Sequence, residues 1–113
     1  MKNLANKVQL IGRLGADAEI RETKSGKKVA NFSLATNESY RDAEGKQVEN
    51  TQWHRLTAFD GLAEVAEKHF KKGTQLAIEG KLVPNSYEDK EGVKRYVTDI
   101  YVNDFMFLGK KGD

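Results

Sequence analysis

Cysteine is absent, and with it disulfides, cysteine-based zinc sites and iron–sulfur clusters. Only two histidines are present, and neither His54 nor His69 has companions resembling a metal site, so no metal and no cofactor is expected. No apolar run approaches the roughly 20 residues needed to span a bilayer, so no membrane partner is expected. The opening MKNLANKVQLIG enters a strand-like pattern directly, with no signal-peptide or transit-segment character. A cytoplasmic location is therefore expected. Charge of one sign is also missing: 19 Lys and Arg face 17 Asp and Glu, a net charge of +2. Neither half of the chain forms a basic tail, so a polyanionic partner would have to be recognised by local placement of cations. The acidic residues Asp42, Glu44, Glu49 and Glu88 fall in polar turns, and no nucleophile–base pair emerges. An enzyme is not expected.

What is present is alternation. In KVQLIGRLG, Val8, Leu10, Gly12 and Leu14 share one parity, which predicts a strand with a close approach at Gly12. Ile11, on the other parity, is free to meet a second surface. AEIRET continues the same sheet after a bend, and the turn KSGK leads to VANFSLATNESY, where Ala30, Phe32 and Leu34 face a core. RDAEGKQVENT is read as a long polar hairpin connection. TQWHRLTAF returns to strand, and the period then changes. Leu62, Val65, Ala66, His69 and Phe70 form one helical stripe, with Asp60 as N-cap and Gly73 as the C-terminal stop. Leu76, Ile78, Gly80 and Leu82 make a further strand, with Pro84 at its edge. A polar turn around Gly92 follows, and Tyr96, Thr98, Ile100 and Val102 form a last strand reaching FMFLG. The expected fold is all-β: a five-stranded OB-fold barrel with one helix between strands 3 and 4. An open α+β sheet with a covering helix has the same ingredients.

The ten aromatics divide by neighbourhood. Phe32 and Phe70 read as packing residues, and Phe105 and Phe107 as closing one end of the barrel. Trp53 and Phe59 share their parity with Arg55 and Thr57, and an arginine is costly to bury unpaired, so that face is expected to be wet. Tyr40 and Tyr87 stand beside the two long polar turns. Rings beside Arg21, Lys24, Lys27, Lys28, Arg41, Lys81, Lys94 and Arg95 suit single-stranded nucleic acid: bases stack on flat side chains while cations neutralise phosphates. Aromatic and arginine residues also suit a protein–protein interface. RNA and DNA both offer bases to stack. On residues alone these readings stay open.

NKVQLIGRLGADAEIR, NFSLATNESYRD, TQWHRLTAFDGLAEVAEKHFKKG, LAIEGKL and RYVTDIYVNDFMFLG, in that order, resemble the bacterial-type single-stranded DNA-binding protein family from about Asn6 to Gly109. The resemblance implies an OB-fold domain over residues 1–109, with 110–113 a short C-terminal remnant. It implies a non-catalytic homotetramer that wraps and protects single-stranded DNA in replication, recombination and repair. A dimeric primosomal replication accessory of related OB type is the alternative. Carried over residue by residue, the DNA-stacking positions are Tyr40, Trp53, Phe59 and Tyr87, with tyrosine where the family often has tryptophan at the first and last. His54 matches a subunit-interface histidine, although a local hydrogen-bonding role suits it equally. Arg13, Arg21, Lys28, Arg55 and Lys81 are expected to meet the DNA backbone. Two departures stand out. Val83, Pro84 and Asn85 occupy a segment where many relatives carry arginines, and the chain ends at KKGD where the family commonly continues to an acidic tip that recruits partners. Tail-mediated recruitment is therefore doubtful, and either a trimmed core or a short phage- or plasmid-type form is implied.

Overall fold

The computed structural model describes residues 4–109. The element order is β1 (Val8–Leu14), β2 (Glu19–Glu22), β3 (Lys28–Arg41), β4 (Gln47–Phe59), α1 (Gly61–His69), β5 (Gln75–Glu88) and β6 (Lys94–Gly109). The strands form one sheet in the order β1-β5-β6-β4-β3-β2, and an additional β1–β3 pairing curls it closed. Five long strands thus make the expected OB barrel. The AEIRET segment supplies the short β2, which pairs with the start of β3. Counting β1 with β2 as one bent strand, α1 lies between the third and fourth, as the sequence predicts.

Closure depends on Gly12. A Cβ there would lie 2.1 Å from the Ala35 carbonyl oxygen, so β1 can cross β3 only where a side chain is missing. Inside, Leu34, Leu56, Leu76 and Ile78 are fully buried, each on the inward parity of its strand. One barrel end is plugged by Phe70, whose ring stands edge-on to Phe32, Phe105 and Phe107 at centroid distances of 5.1, 5.3 and 5.8 Å.

The helix corrects three expectations. Ala63 is buried and His69 is exposed, so the covering stripe is rotated from the predicted one. Asp60 occupies the N-cap position with φ 55° and forms no side-chain capping bond. Its backbone N–H instead donates to the Lys28 carbonyl, which ties the helix entry to β3. The helix ends before Gly73. That residue lies in a later turn with φ 87° and donates its N–H to the Leu14 carbonyl.

The polar stretch 41–51 is not a long connection. β3 and β4 stay paired from Val29↔Phe59 to Arg41↔Gln47, leaving a short turn over residues 42–46. Asp42 Oδ1 accepts the N–H groups of Glu44 and Lys46, both at 2.9 Å. Asp89 does the same for Glu91 and Val93 in the β5–β6 turn. Gly45 and Gly92 supply the left-handed position each turn requires. Beyond the barrel both hairpins therefore continue as two-stranded ribbons. Pro84 sits in one of them, past the last β1–β5 pair at Val8↔Gly80, where among the described residues that edge of β5 has no neighbour in the sheet. The radius of gyration, 16.0 Å, exceeds the ~13 Å of a compact chain of this length, as projecting ribbons demand.

Candidate nucleic-acid interface

Along β4 the pleat separates two surfaces. Leu56 and Ala58 are buried, whereas Trp53, Arg55 and Phe59 are exposed. The register extends this outer face across the sheet. Trp53 pairs with Ala35, which pairs with Arg13; Phe59 pairs with Val29, which pairs with Arg21. On the other flank Thr57 aligns with Tyr101 of β6, which pairs with Lys81 of β5. Three rings and four cations named here consequently share one continuous surface assembled from every strand of the barrel.

The rings are seated rather than merely displayed. Trp53 is 62% exposed, yet its indole lies against Gly15: a Cβ on that glycine would come within 2.5 Å of Cζ3. Phe59 stands edge-on to Tyr101, with centroids 5.0 Å apart and planes at 69°. Tyr87 lies on the β5–β6 ribbon, half exposed, opposite Arg95. It borders an open recess of about 360 Å³ together with Arg55, Asn85, Ser86, Val97 and Asp99. This recess joins the ribbon to the β4 face. Tyr40 is also exposed, but it pairs with Val48 and takes the parity of Leu34 and His54. The register thus puts Tyr40 on the opposite face of the β3–β4 ribbon from Trp53, apart from the other three expected stackers.

The five cations expected to meet a backbone differ in their freedom. Among the described residues, the side chains of Arg21 and Lys81 are exposed and make no hydrogen bond or ion pair. Arg13 donates from Nη1 to the Gly73 carbonyl at 2.9 Å and, among the described residues, makes no ion pair. Lys28 is engaged: its Nζ donates to Glu67 Oε1 at 2.7 Å. That hydrogen bond, reinforced by the opposite charge, raises the Lys28 pKa and lowers that of Glu67. Arg55 is paired as well, its Nε 3.2 Å from Asp99 Oδ1. The contact lacks hydrogen-bond alignment, so Oδ1 is ion-paired yet, among the described residues, has no hydrogen-bond donor. Asp99 Oδ2 accepts from Asn85 Nδ2 at 2.6 Å.

His54 shares a 2.9 Å hydrogen bond between Nε2 and Thr36 Oγ1, the local role that its sequence context allowed. Gly15, Asp99 and Tyr101 belong to the outer surface and were not singled out from the sequence. Parity held the signal for the last two, because both alternate with the core residues Ile100 and Val102. Among the described residues no group of three or more His, Cys, Asp or Glu is placed to hold a metal ion.

Among the described residues, the OB barrel presents an open sheet face flanked by ribbons, on which rings and cations stand together. Comparison with known proteins identifies the class. The model of the single-strand binding protein family matches residues 5–108, and the chain belongs to that family. It is 49% identical over 107 residues to single-stranded DNA-binding protein 1 of Chlorobaculum tepidum, covering 94% of this chain and 66% of that protein. It is 45% identical over 109 residues to single-stranded DNA-binding protein 1 of Xylella fastidiosa, covering 96% and 80%. The single-stranded DNA-binding protein of Neisseria meningitidis serogroup A is 43% identical over 108 residues, and the match covers 62% of its length. The chain therefore spans about two thirds of the length of two of these relatives and four fifths of the third. Among solved structures, the Plasmodium falciparum SSB complex with ssDNA is similar at a TM-score of 0.86 and 33% identity, covering 96% of this chain and 98% of that one.

Proposed function

We propose that this protein binds single-stranded DNA with little sequence preference and, without catalysis, holds and protects it during replication, recombination and repair. The observation that carries the reading is the outer face of β4, where Trp53, Phe59 and Arg55 stand exposed on a rigid sheet beside Arg13, Arg21 and Lys81. Bases of a single strand have free faces to stack on such rings, while duplex bases are already stacked. The stackers are Trp53, Phe59 and Tyr87, with Tyr40 on the far side of its ribbon meeting a strand that wraps around it. Arg13, Arg21 and Lys81 supply the phosphate contacts, while Lys28 and Arg55 are held by acidic partners. The binding domain comprises residues 1–109, with 110–113 a short C-terminal remnant; residues 1–3 and 110–113 lie outside the described residues.

The same proposal includes self-association into a homotetramer, with His54 at a subunit contact. It is supported by an apolar row running across three strands, Ile11–Ala77–Met106, in which Ile11 and Met106 are more than half exposed. A cytoplasmic, DNA-associated location completes the reading. Fluorescence anisotropy of labelled oligo(dT), the matching duplex and oligo(U), each across a salt series, tests it. Tight, salt-sensitive binding of oligo(dT) with weak duplex binding is expected. Equal affinity for duplex, or preference for oligo(U), would overturn the assignment.

A further inference from the structure

Asp99 is the anomaly of this surface. A face that attracts a polyanion has no evident need of an acid, yet Asp99 is more than nine-tenths buried within it. Its two oxygens divide their work: Oδ2 takes the Asn85 amide, and Oδ1 faces the Arg55 Nε without another donor. Arg55 itself remains 65% exposed at the rim of the recess that Tyr87 borders. Swinging its guanidinium out to a phosphate would leave a desolvated carboxylate with no counter-charge, which is strongly unfavourable.

We propose that Asp99 is a positioning residue that withholds the charge of Arg55 from the DNA backbone. Pinned at Nε and electrically compensated, Arg55 presents its flat guanidinium to a base entering the recess opposite Tyr87. A guanidinium plane stacks on bases as well as pairing with phosphates, and a pinned one loses little freedom on doing so. Arg55 therefore contributes base contact and leaves backbone neutralisation to Arg13, Arg21 and Lys81.

This inference rests on the single-strand reading of the face, and the salt dependence of binding separates the two. The probe is an oligo(dT) of about eight nucleotides, within the site size of one barrel. Each phosphate neutralised adds roughly 0.7 to the magnitude of the slope of log K against log salt. Asp99→Asn keeps the Asn85 hydrogen bond but frees Arg55, so the slope should steepen by about 0.7, an extra loss of about 2.6-fold between 50 and 200 mM salt. The double variant Arg55→Met with Asp99→Asn removes both charges and should restore the wild-type slope, with affinity reduced at every salt concentration. Because it replaces the ion pair with neutral groups of similar size, it also provides the reading if Asp99→Asn alone misfolds. A double-variant slope shallower than wild type by about 0.7 would show that Arg55 already neutralises a phosphate and would overturn the inference. An unchanged slope in folded Asp99→Asn would do the same. Failure of the wild-type protein to bind the oligonucleotide would remove both this inference and the reading beneath it.

Discussion

Replacing Gly15 by alanine adds one methyl group beneath the Trp53 ring. The new carbon would lie 2.5 Å from Cζ3 and 2.9 Å from Cη2, where carbon atoms rest at about 3.5–4.0 Å. Gly15 has no positive φ, so the backbone tolerates the change, and the ring must retreat by about 1 Å or swing away. The cost to the fold is small, because a ring 62% exposed can move into solvent. The cost to binding is larger. Stacking contributes about 1–3 kcal/mol per base, and losing a third to a half of that weakens binding by roughly 2- to 12-fold. Trp53 is the sole tryptophan, so its emission reports the displacement directly. Expected are an altered emission spectrum in the free protein, a nearly unchanged melting temperature and a several-fold weaker affinity for oligo(dT). Unchanged emission together with unchanged affinity would refute the argument that Gly15 seats the ring.

Other perturbations separate binding from folding. Trp53→Ala should weaken oligo(dT) binding by about 1–3 kcal/mol over many sequences with little loss of stability, checked by anisotropy and thermal melting in parallel. Gly12→Ala should do the reverse, because its methyl group meets backbone, the Ala35 carbonyl, which cannot step aside; a destabilisation of about 1–3 kcal/mol in urea unfolding is expected. Ile11→Glu with Met106→Glu should reduce the native mass while leaving the fold intact, since both side chains are exposed in a single subunit. Acid should act through two carboxylates. Glu67 is held below its ordinary pKa by Lys28, and Asp89 below its own chiefly by the Val93 N–H, with the Arg95 side chain and the Glu91 N–H adding to it. For a depressed carboxylate the stabilisation is present above the unfolded value, about 4, and is lost as pH falls through the lower folded value. Melting temperatures measured downward from pH 5 should fall less steeply in Glu67→Gln or Asp89→Asn than in the wild type.

The legibility of this molecule followed its burial. On β4 one face is dry and the other wet, so alternation alone separates Leu56 and Ala58 from Trp53, Arg55 and Phe59. Past the barrel the β3–β4 ribbon is wetted widely on both sides. Residues 37–41 and 49–51 therefore carry no alternation, and strands resemble a loop. Helical periodicity established α1 but not its rotation, which is set by where Ala63 and Ala66 meet the barrel. The remaining features are tertiary. Lys28 and Glu67 are 39 residues apart, and no spacing rule predicts that one cation of the expected set is committed to the helix. Gly15 and Trp53 meet only because β1 crosses β3, and Asp99 meets Arg55 through the parallel β4–β6 contact at Leu56↔Ile100. The aromatic candidates could thus be named from chemistry and family likeness, while their placement on the sheet, their seats and their counter-charges required the fold.

The function proposed for this protein places single-stranded DNA on the Trp53 face. Titrating the Trp53 fluorescence with poly(dT) at low and high salt, with duplex DNA as control, tests it most directly. Strong, saturable quenching by poly(dT), little response to duplex and weaker affinity at high salt are expected. Unquenched Trp53 emission under conditions where light scattering shows poly(dT) bound would place the DNA elsewhere and rule out the Trp53 face.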